Sequence, residues 1–230
     1  MSQMQRHSHE YRRAIGTLLY VANGTRPDLS FDVSYLSHFL ANPKRKQTAA
    51  VKYLIKYLNH SHDYCIVFRK SRKEALIFSD ADFANNKVDR KSSSGLVVCI
   101  AGGPVEWRCK KQTVVATPSQ QAEYIAMAIA MQEALWLCDI LREINASDLY
   151  MVLCILTDST AAINLAEKDI VNDNSKAVDV KYHCMKDVVK KGLVKLQYVA
   201  SHDNLAYLLT KGLTGRKTQE LCARIGLIIP

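Results

Sequence analysis

Three acidic residues stand in sequence settings that point to one metal site. Asp80 closes the apolar run in LIFSDADF, Glu123 opens SQQAEYIAMAIA, and Asp158 closes VLCILTDSTAA. An ionised carboxylate is costly to bury without a partner, so carboxylates at the ends of buried segments point to a cation between them. Two divalent ions held by such a cluster can cleave a phosphodiester. Each residue also has a plainer role available. Glu123 could complement a helix dipole, and Asp158 could cap the helix it precedes. Asp82 would share the face of Asp80 if the strand continued, or would sit in a turn.

The segments that must position these residues are legible in the apolar spacing. Glu123, Met127, Ala130, Ala134, Leu137 and Leu141 recur at steps of 4, 3, 4, 3 and 4. This predicts a helix over about Gln120–Ile144 with Glu123 on its sheet-covering face. Strands are expected at Ala75–Phe78, Gly95–Ala101, Val105–Cys109, Tyr150–Leu156 and Val194–Val199, and further helices near Ser159–Glu167, Val180–Lys191 and from His202. The order β-β-β-α-β-α-α-β-α implies two antiparallel hairpins followed by parallel strands. The strand ending at Asp80 and the strand ending at Asp158 must then be neighbours. Before residue 60 the pattern changes. Apolar stripes at Ile15–Ala22, Leu29–Leu40 and Val51–Leu58, broken by Thr25-Arg26-Pro27-Asp28 and Asn42-Pro43, predict three amphipathic helices. Cys65–Phe68 reads as a strand leaving them. The polar run Arg69–Glu74 reads as a linker, and Asp169–Lys176 as a polar connection.

Composition narrows the partners. The 230 residues carry 31 Lys and Arg against 22 Asp and Glu, a formal charge of +9. Such a surplus suits a polyanion such as nucleic acid, or is merely a basic surface. The seven cysteines include no C-x-x-C pair, so they are expected to be reduced thiols of an intracellular protein rather than zinc ligands. The uncharged apolar stretch near Tyr124–Met131 falls short of the roughly 20 residues of a membrane span, and MSQMQRHSHEYRR lacks the apolar core of a signal peptide.

The segments SDADFA, DRKSSSG, EW, KKQ and AEY between Ser79 and Tyr124 resemble the ribonuclease H domain of copia-type retrotransposon Pol polyproteins. TDSTAAINLA, VDVKYH, YVASHDNLAYLLTKGL and the upstream YRRAIGTLLYVANGTRPDLSF resemble the same proteins in the same order. The resemblance implies a ribonuclease H-like five-stranded mixed sheet flanked by helices over residues 73–230. Residues 1–72 would be a small helical remnant of the reverse transcriptase thumb or connection. No Tyr-x-Asp-Asp occurs, so no polymerase metal site is present in this sequence. The implied activity is hydrolysis of the RNA strand of RNA–DNA hybrids with two magnesium ions, manganese being a substitute. Asp80, Glu123 and Asp158 would be the catalytic, metal-binding residues. Implied partners are an RNA–DNA hybrid or other nucleic acid and a reverse transcriptase domain in a longer polyprotein, with no membrane. The implied setting is cytoplasmic, a virus-like particle, or nuclear.

One departure concerns chemistry. The motif Leu-Ala-Asp-x-Leu-Thr-Lys of the resembled proteins reads Leu205-Ala206-Tyr207-Leu208-Leu209-Thr210-Lys211 here, so the fourth acid is replaced by Tyr207. Asp203, one helical turn earlier if a helix has begun, is a candidate replacement ligand or a helix cap. His202 beside it is a candidate proton shuttle or an inert surface residue. Phe83, Gln121 and Ala177 stand where the resembled proteins carry Trp, Glu and His. Impaired catalysis, a catalytically dead nucleic-acid-binding relic and a structural module of the polyprotein all follow as alternatives. For the hybrid backbone the candidates are Arg90, Lys91, Lys110, Lys111 and Gln112, with Lys186, Lys190 and Lys191 as a second basic face. Trp107 and Trp136 are expected in the core.

Overall fold

The computed structural model describes residues 3–69, 75–86, 89–116, 119–145, 153–167 and 179–229, the side chains of 3–7 and 179–184 excepted. Most of the linker Arg69–Glu74, the connection Asp169–Lys176 and Ala177 therefore lie outside the described residues. Three helices come first: α1 (Gln3–Gly24), α2 (Ser30–Ser37) and α3 (Arg45–His60), with a short 3-10 turn at Pro27–Leu29 between the first two. Their apolar stripes close on one another in a core of their own that includes Ile15, Leu18, Leu29, Val33, Val51 and Leu54.

The strands β2 (Ala75–Asp82), β3 (Ser93–Ile100), β4 (Gly103–Lys111), β5 (Leu153–Thr157) and β6 (Val194–Tyr198) form one mixed sheet in the order β4-β3-β2-β5-β6. The two hairpins make β2–β3 and β3–β4 antiparallel, and the helical crossovers make β2–β5 and β5–β6 parallel. This is the five-stranded mixed sheet flanked by helices that the sequence resemblance implies. Alternation sorts the side chains to two faces. Ile77, Leu96, Val98 and Ile155 face a core shared with α4 (Ser119–Glu143), α5 (Thr160–Glu167) and α6 (Asp179–Lys190). Phe78, Val97, Cys99 and Leu156 face the other way, onto a 3-10 helix (Leu205–Leu209) and α7 (Gly215–Ile225).

By length and hydropathy α4 could cross a membrane. Its apolar residues serve the core instead, with Met127, Ala130 and Ala134 fully buried against the sheet.

The strand expected at Cys65–Phe68 is present as β1 (Cys65–Ile66), which pairs with β7 (Leu227–Ile228). Two sequence expectations change. No helix starts at His202. Residues 201–203 turn, and Asn204 caps the 3-10 helix, its side chain accepting from the Ala206 N–H at 3.1 Å and donating to the Ser79 carbonyl at 2.8 Å. The last α-helix begins at Gly215 and ends at Gly226, whose φ of 90° supplies the left-handed C-cap. Trp136 is exposed, whereas Trp107 is partly buried and donates from Nε1 to the Ala22 carbonyl at 2.7 Å, joining β4 to α1.

Candidate active site

The parallel pairing of β2 and β5 aligns Leu76 with Cys154, Ile77 with Ile155 and Phe78 with Leu156. Extended two residues, that register brings Asp80 level with Asp158 at the carboxyl ends of both strands. Such ends open onto a crevice in sheets of this kind. The third acid arrives from α4, whose second turn points Glu123 at the same crevice. One carboxylate oxygen each from Asp80, Glu123 and Asp158 lie within 4.8 Å of one another. The three residues singled out as catalytic and metal-binding are thus brought together, across 78 residues of chain at the widest.

The site's electrostatics follow from its burial. Asp80 is 1% exposed, and Asp80 Oδ1 and Glu123 Oε2 are both buried without a hydrogen-bond partner. Asp80 Oδ2 accepts a hydrogen bond from the Thr210 hydroxyl, and Lys211 Nζ stands 4.0 Å from it. Burial pushes the Glu123 carboxyl from 4.5 up to about 9, with repulsion from Asp80 and Asp158 adding to it and Lys211 and the Ala81 N–H pulling back. Burial also raises Asp80, against Lys211 and Thr210, and raises Asp82, against Lys211 and Asn85. Carboxylates crowded this way, two of them with an unpartnered buried oxygen, match the hard oxygen donors that magnesium or manganese takes.

A pH dependence follows. Between pH 4.5 and about 9 the folded chain holds a proton on Glu123 that the unfolded chain has released. Stability without divalent cation must therefore fall as pH rises through that window, by at most about 1.4 kcal/mol per pH unit for one proton. Urea unfolding at pH 6 and pH 8 in EDTA should show the loss, and Glu123→Gln should flatten it.

Gly95 lies opposite Asp80 in the β2–β3 register and lets the 3-10 helix approach. A Cβ there would meet Thr210 Cγ2 at 2.6 Å and the Ala206 carbonyl at 2.8 Å. Gly95→Ala should destabilise the fold by about 1–3 kcal/mol through overpacking. It should also push Thr210 off Asp80. A lowered urea midpoint is the check.

The remaining sequence candidates part company. Asp203 does not join the acidic trio: Arg224 Nη2 holds its carboxylate at 2.9 Å and His202 Nε2 lies at 3.2 Å. Without a helix at 202, the one-turn relation to position 207 is lost. Tyr207 packs partly buried against the core beneath β3 and β2, with Lys211 Nζ 4.1 Å from its ring centroid. Gln112 is buried, its side-chain amide donating to Ser94 Oγ and to the Ala122 carbonyl, each at 2.9 Å. It pins the end of β4 to the first turn of α4 beside Glu123, a positioning role rather than a surface contact. Lys111 pairs with Asp89 at 2.8 Å. Arg90 and Lys110 are exposed, Lys91 is half-buried, and Lys190 and Lys191 are exposed across the molecule on and after α6. The sequence reading gives no role to Thr210, Lys211 or Asn204. Leu209-Thr210-Lys211 in the shared motif is the available signal for the first two, and Asn204 carries none.

No protein-family model matches the chain. The retrovirus-related Pol polyprotein from transposon TNT 1-94 of Nicotiana tabacum is 34% identical over 216 residues, 94% of this chain and 16% of that protein. The corresponding polyprotein from transposon RE1 of Arabidopsis thaliana is 33% identical over 219 residues, 95% of this chain and 15% of that protein. The chain thus spans about a sixth of the length of these relatives. Among solved structures, the N-terminal ribonuclease H domain of a Mycobacterium tuberculosis protein aligns over 65% of this chain and 96% of that chain, at 12% identity and a TM-score of 0.44. Strand order and pairing, rather than that alignment, carry the fold.

Proposed function

We propose that this chain, which belongs to the retrovirus-related Pol polyproteins of transposons, is a copia-type ribonuclease H domain preceded by the end of a reverse transcriptase. Its reaction is divalent-metal-dependent cleavage of the RNA strand of an RNA–DNA hybrid. The observation that carries this reading is the convergence of Asp80, Glu123 and Asp158 within 4.8 Å, with buried oxygens that have no protein partner. Magnesium ions bound there would supply Lewis acidity for attack by water on the phosphodiester and positive charge for the leaving 3′ oxygen. Asp80, which accepts from Thr210, would hold the metal together with Glu123 and Asp158, and Gln112 fixes the helix turn that presents Glu123. Arg90, Lys91, Lys110 and Lys111 contact phosphates rather than bases. Residues 1–72 then form the polymerase-side module and 73–230 the nuclease. Its setting is intracellular, in keeping with its transposon polyprotein relatives.

A second reading has its own support. Tyr207 replaces the fourth acid, and Lys211 rather than a carboxylate faces Asp80 from that side. A nucleic-acid-binding relic with little turnover would look the same. Cleavage of a labelled hybrid at limiting magnesium separates the two. Tyr207→Asp restores a hard ligand and should raise the rate about tenfold. Equal and appreciable rates in the parent, Tyr207→Asp and Asp80→Asn would place the chemistry elsewhere.

A further inference from the structure

Lys211 sits in an unusual position. Its ammonium lies 4.1 Å from the centroid of the Tyr207 ring and 4.0 Å from Asp80 Oδ2. Its side chain is 31% exposed, while that of Asp80 is 1% exposed. The aromatic face attracts the cation and fixes where it rests. Tyr207 lies within the 3-10 helix and Lys211 just beyond its Thr210 cap. Thr210, between them, donates to the same Asp80 oxygen. Lys211 also lines a cavity of about 320 Å³ between the helical module and α7, with Asp32, Tyr53 and Thr218 among its walls. The ammonium therefore has a second, solvent-accessible place to go.

We infer that Tyr207 and Lys211 form an internal-cation latch, in which the lysine ammonium, parked on the tyrosine ring, neutralises Asp80 and competes with divalent metal for the acidic trio. The inference deepens the reading of that trio as a divalent-cation site and rests on it. A tyrosine at position 207 does two things under this view. It removes a ligand, and it supplies the platform that holds a competing positive charge in place. Metal loading then requires Lys211 to leave Asp80 for the neighbouring cavity. Like charges at such short range oppose one another strongly in a partly buried site. Lys211 is in this sense a positioning and gating residue, not a metal ligand.

Mn2+ binding tests this without reference to turnover. Free Mn2+ is followed by electron paramagnetic resonance, and thermal melts are recorded in EDTA and in Mn2+. Lys211→Met keeps the apolar stem and removes the charge, so it should bind Mn2+ about tenfold more tightly than the parent. It should melt lower than the parent in EDTA, where three acids lose their internal cation, and level with it in saturating Mn2+. Tyr207→Leu frees the lysine and should give a smaller gain. In the double variant the two gains should not add, because they act through one contact. A merely structural lysine would lower both melts equally, and that result overturns the latch. Mn2+ binding that Glu123→Gln weakens but Lys211→Met leaves unchanged overturns the latch alone. No Mn2+ binding by the parent or by Lys211→Met overturns both the latch and the cation-site reading.

Discussion

The Asp80→Asn variant will cleave an RNA–DNA hybrid at least about a thousandfold more slowly than the parent chain, a loss of about 4 kcal/mol in transition-state stabilisation. Asp80 is the most buried acid of the trio, and an amide there cannot supply the charge that a divalent cation requires. The fold should survive the change. The Asn side-chain oxygen still accepts from the Thr210 hydroxyl, and a buried carboxylate with one unpartnered oxygen is removed. Melting in EDTA should therefore hold or rise, most clearly at high pH. Burial and Asp80 are the two largest causes that lift Glu123, so its carboxyl should also titrate lower in this variant. Cleavage measured beside the melt separates lost chemistry from lost structure. A variant that folds and still cuts at the parental rate would remove the trio from the mechanism.

Arg26→Ala will have the largest effect on stability, about 3–5 kcal/mol, because it strands a buried acid. Arg26 and Asp28 are 4% and 6% exposed. Arg26 donates from Nε and Nη2 to the two Asp28 oxygens at 2.9 and 2.7 Å, and from Nη1 and Nη2 to the Ser61 carbonyl and hydroxyl at 2.9 and 2.7 Å. The Tyr57 hydroxyl donates to Asp28 Oδ2 at 2.7 Å, and the guanidinium lies against the Tyr57 and Tyr64 rings. This network ties the turn after α1 to the end of α3 and to the segment that leads into the sheet. Arg26→Lys should recover little of the loss, since an ammonium cannot reproduce a two-pronged contact made between aromatic faces. Arg26→Met with Asp28→Leu should lose less than Arg26→Ala, since neither charge is then left alone. Urea unfolding of the three variants gives the order directly. A parental midpoint for Arg26→Ala would mean that the network is dispensable.

Much of the sheet and its helices could be read from local patterning. The 4-3 spacing through Glu123, Met127 and Ala130 placed a carboxylate on a buried helix face, and runs such as GLVVCIA marked strands by β-branched composition. These are properties of neighbours in sequence, and backbone geometry turns them directly into faces. The helix expected from His202 failed for the complementary reason. Asn204 found a partner in the Ser79 carbonyl, 125 residues away, and that bond fixed a turn and a 3-10 helix where propensity alone leaves the choice open. Gln112 was misplaced on the surface because nothing in its neighbourhood reveals that Ser94 and the Ala122 carbonyl close over it.

By itself the sequence determined the candidate groups, the acids Asp80, Glu123 and Asp158, and placed Tyr207 where the resembled proteins carry a fourth acid. Side-chain chemistry and periodicity are carried residue by residue. Tertiary structure alone decided which groups meet and how deeply they are buried. It aligned Asp80 with Asp158 through the β2–β5 pairing and turned Asp203 away to Arg224. It also set Thr210 and Lys211 against an acid 130 or more residues earlier. Burial and charge–charge distance exist only once strands from distant parts of the chain have packed, and on those two quantities the chemistry of this pocket depends.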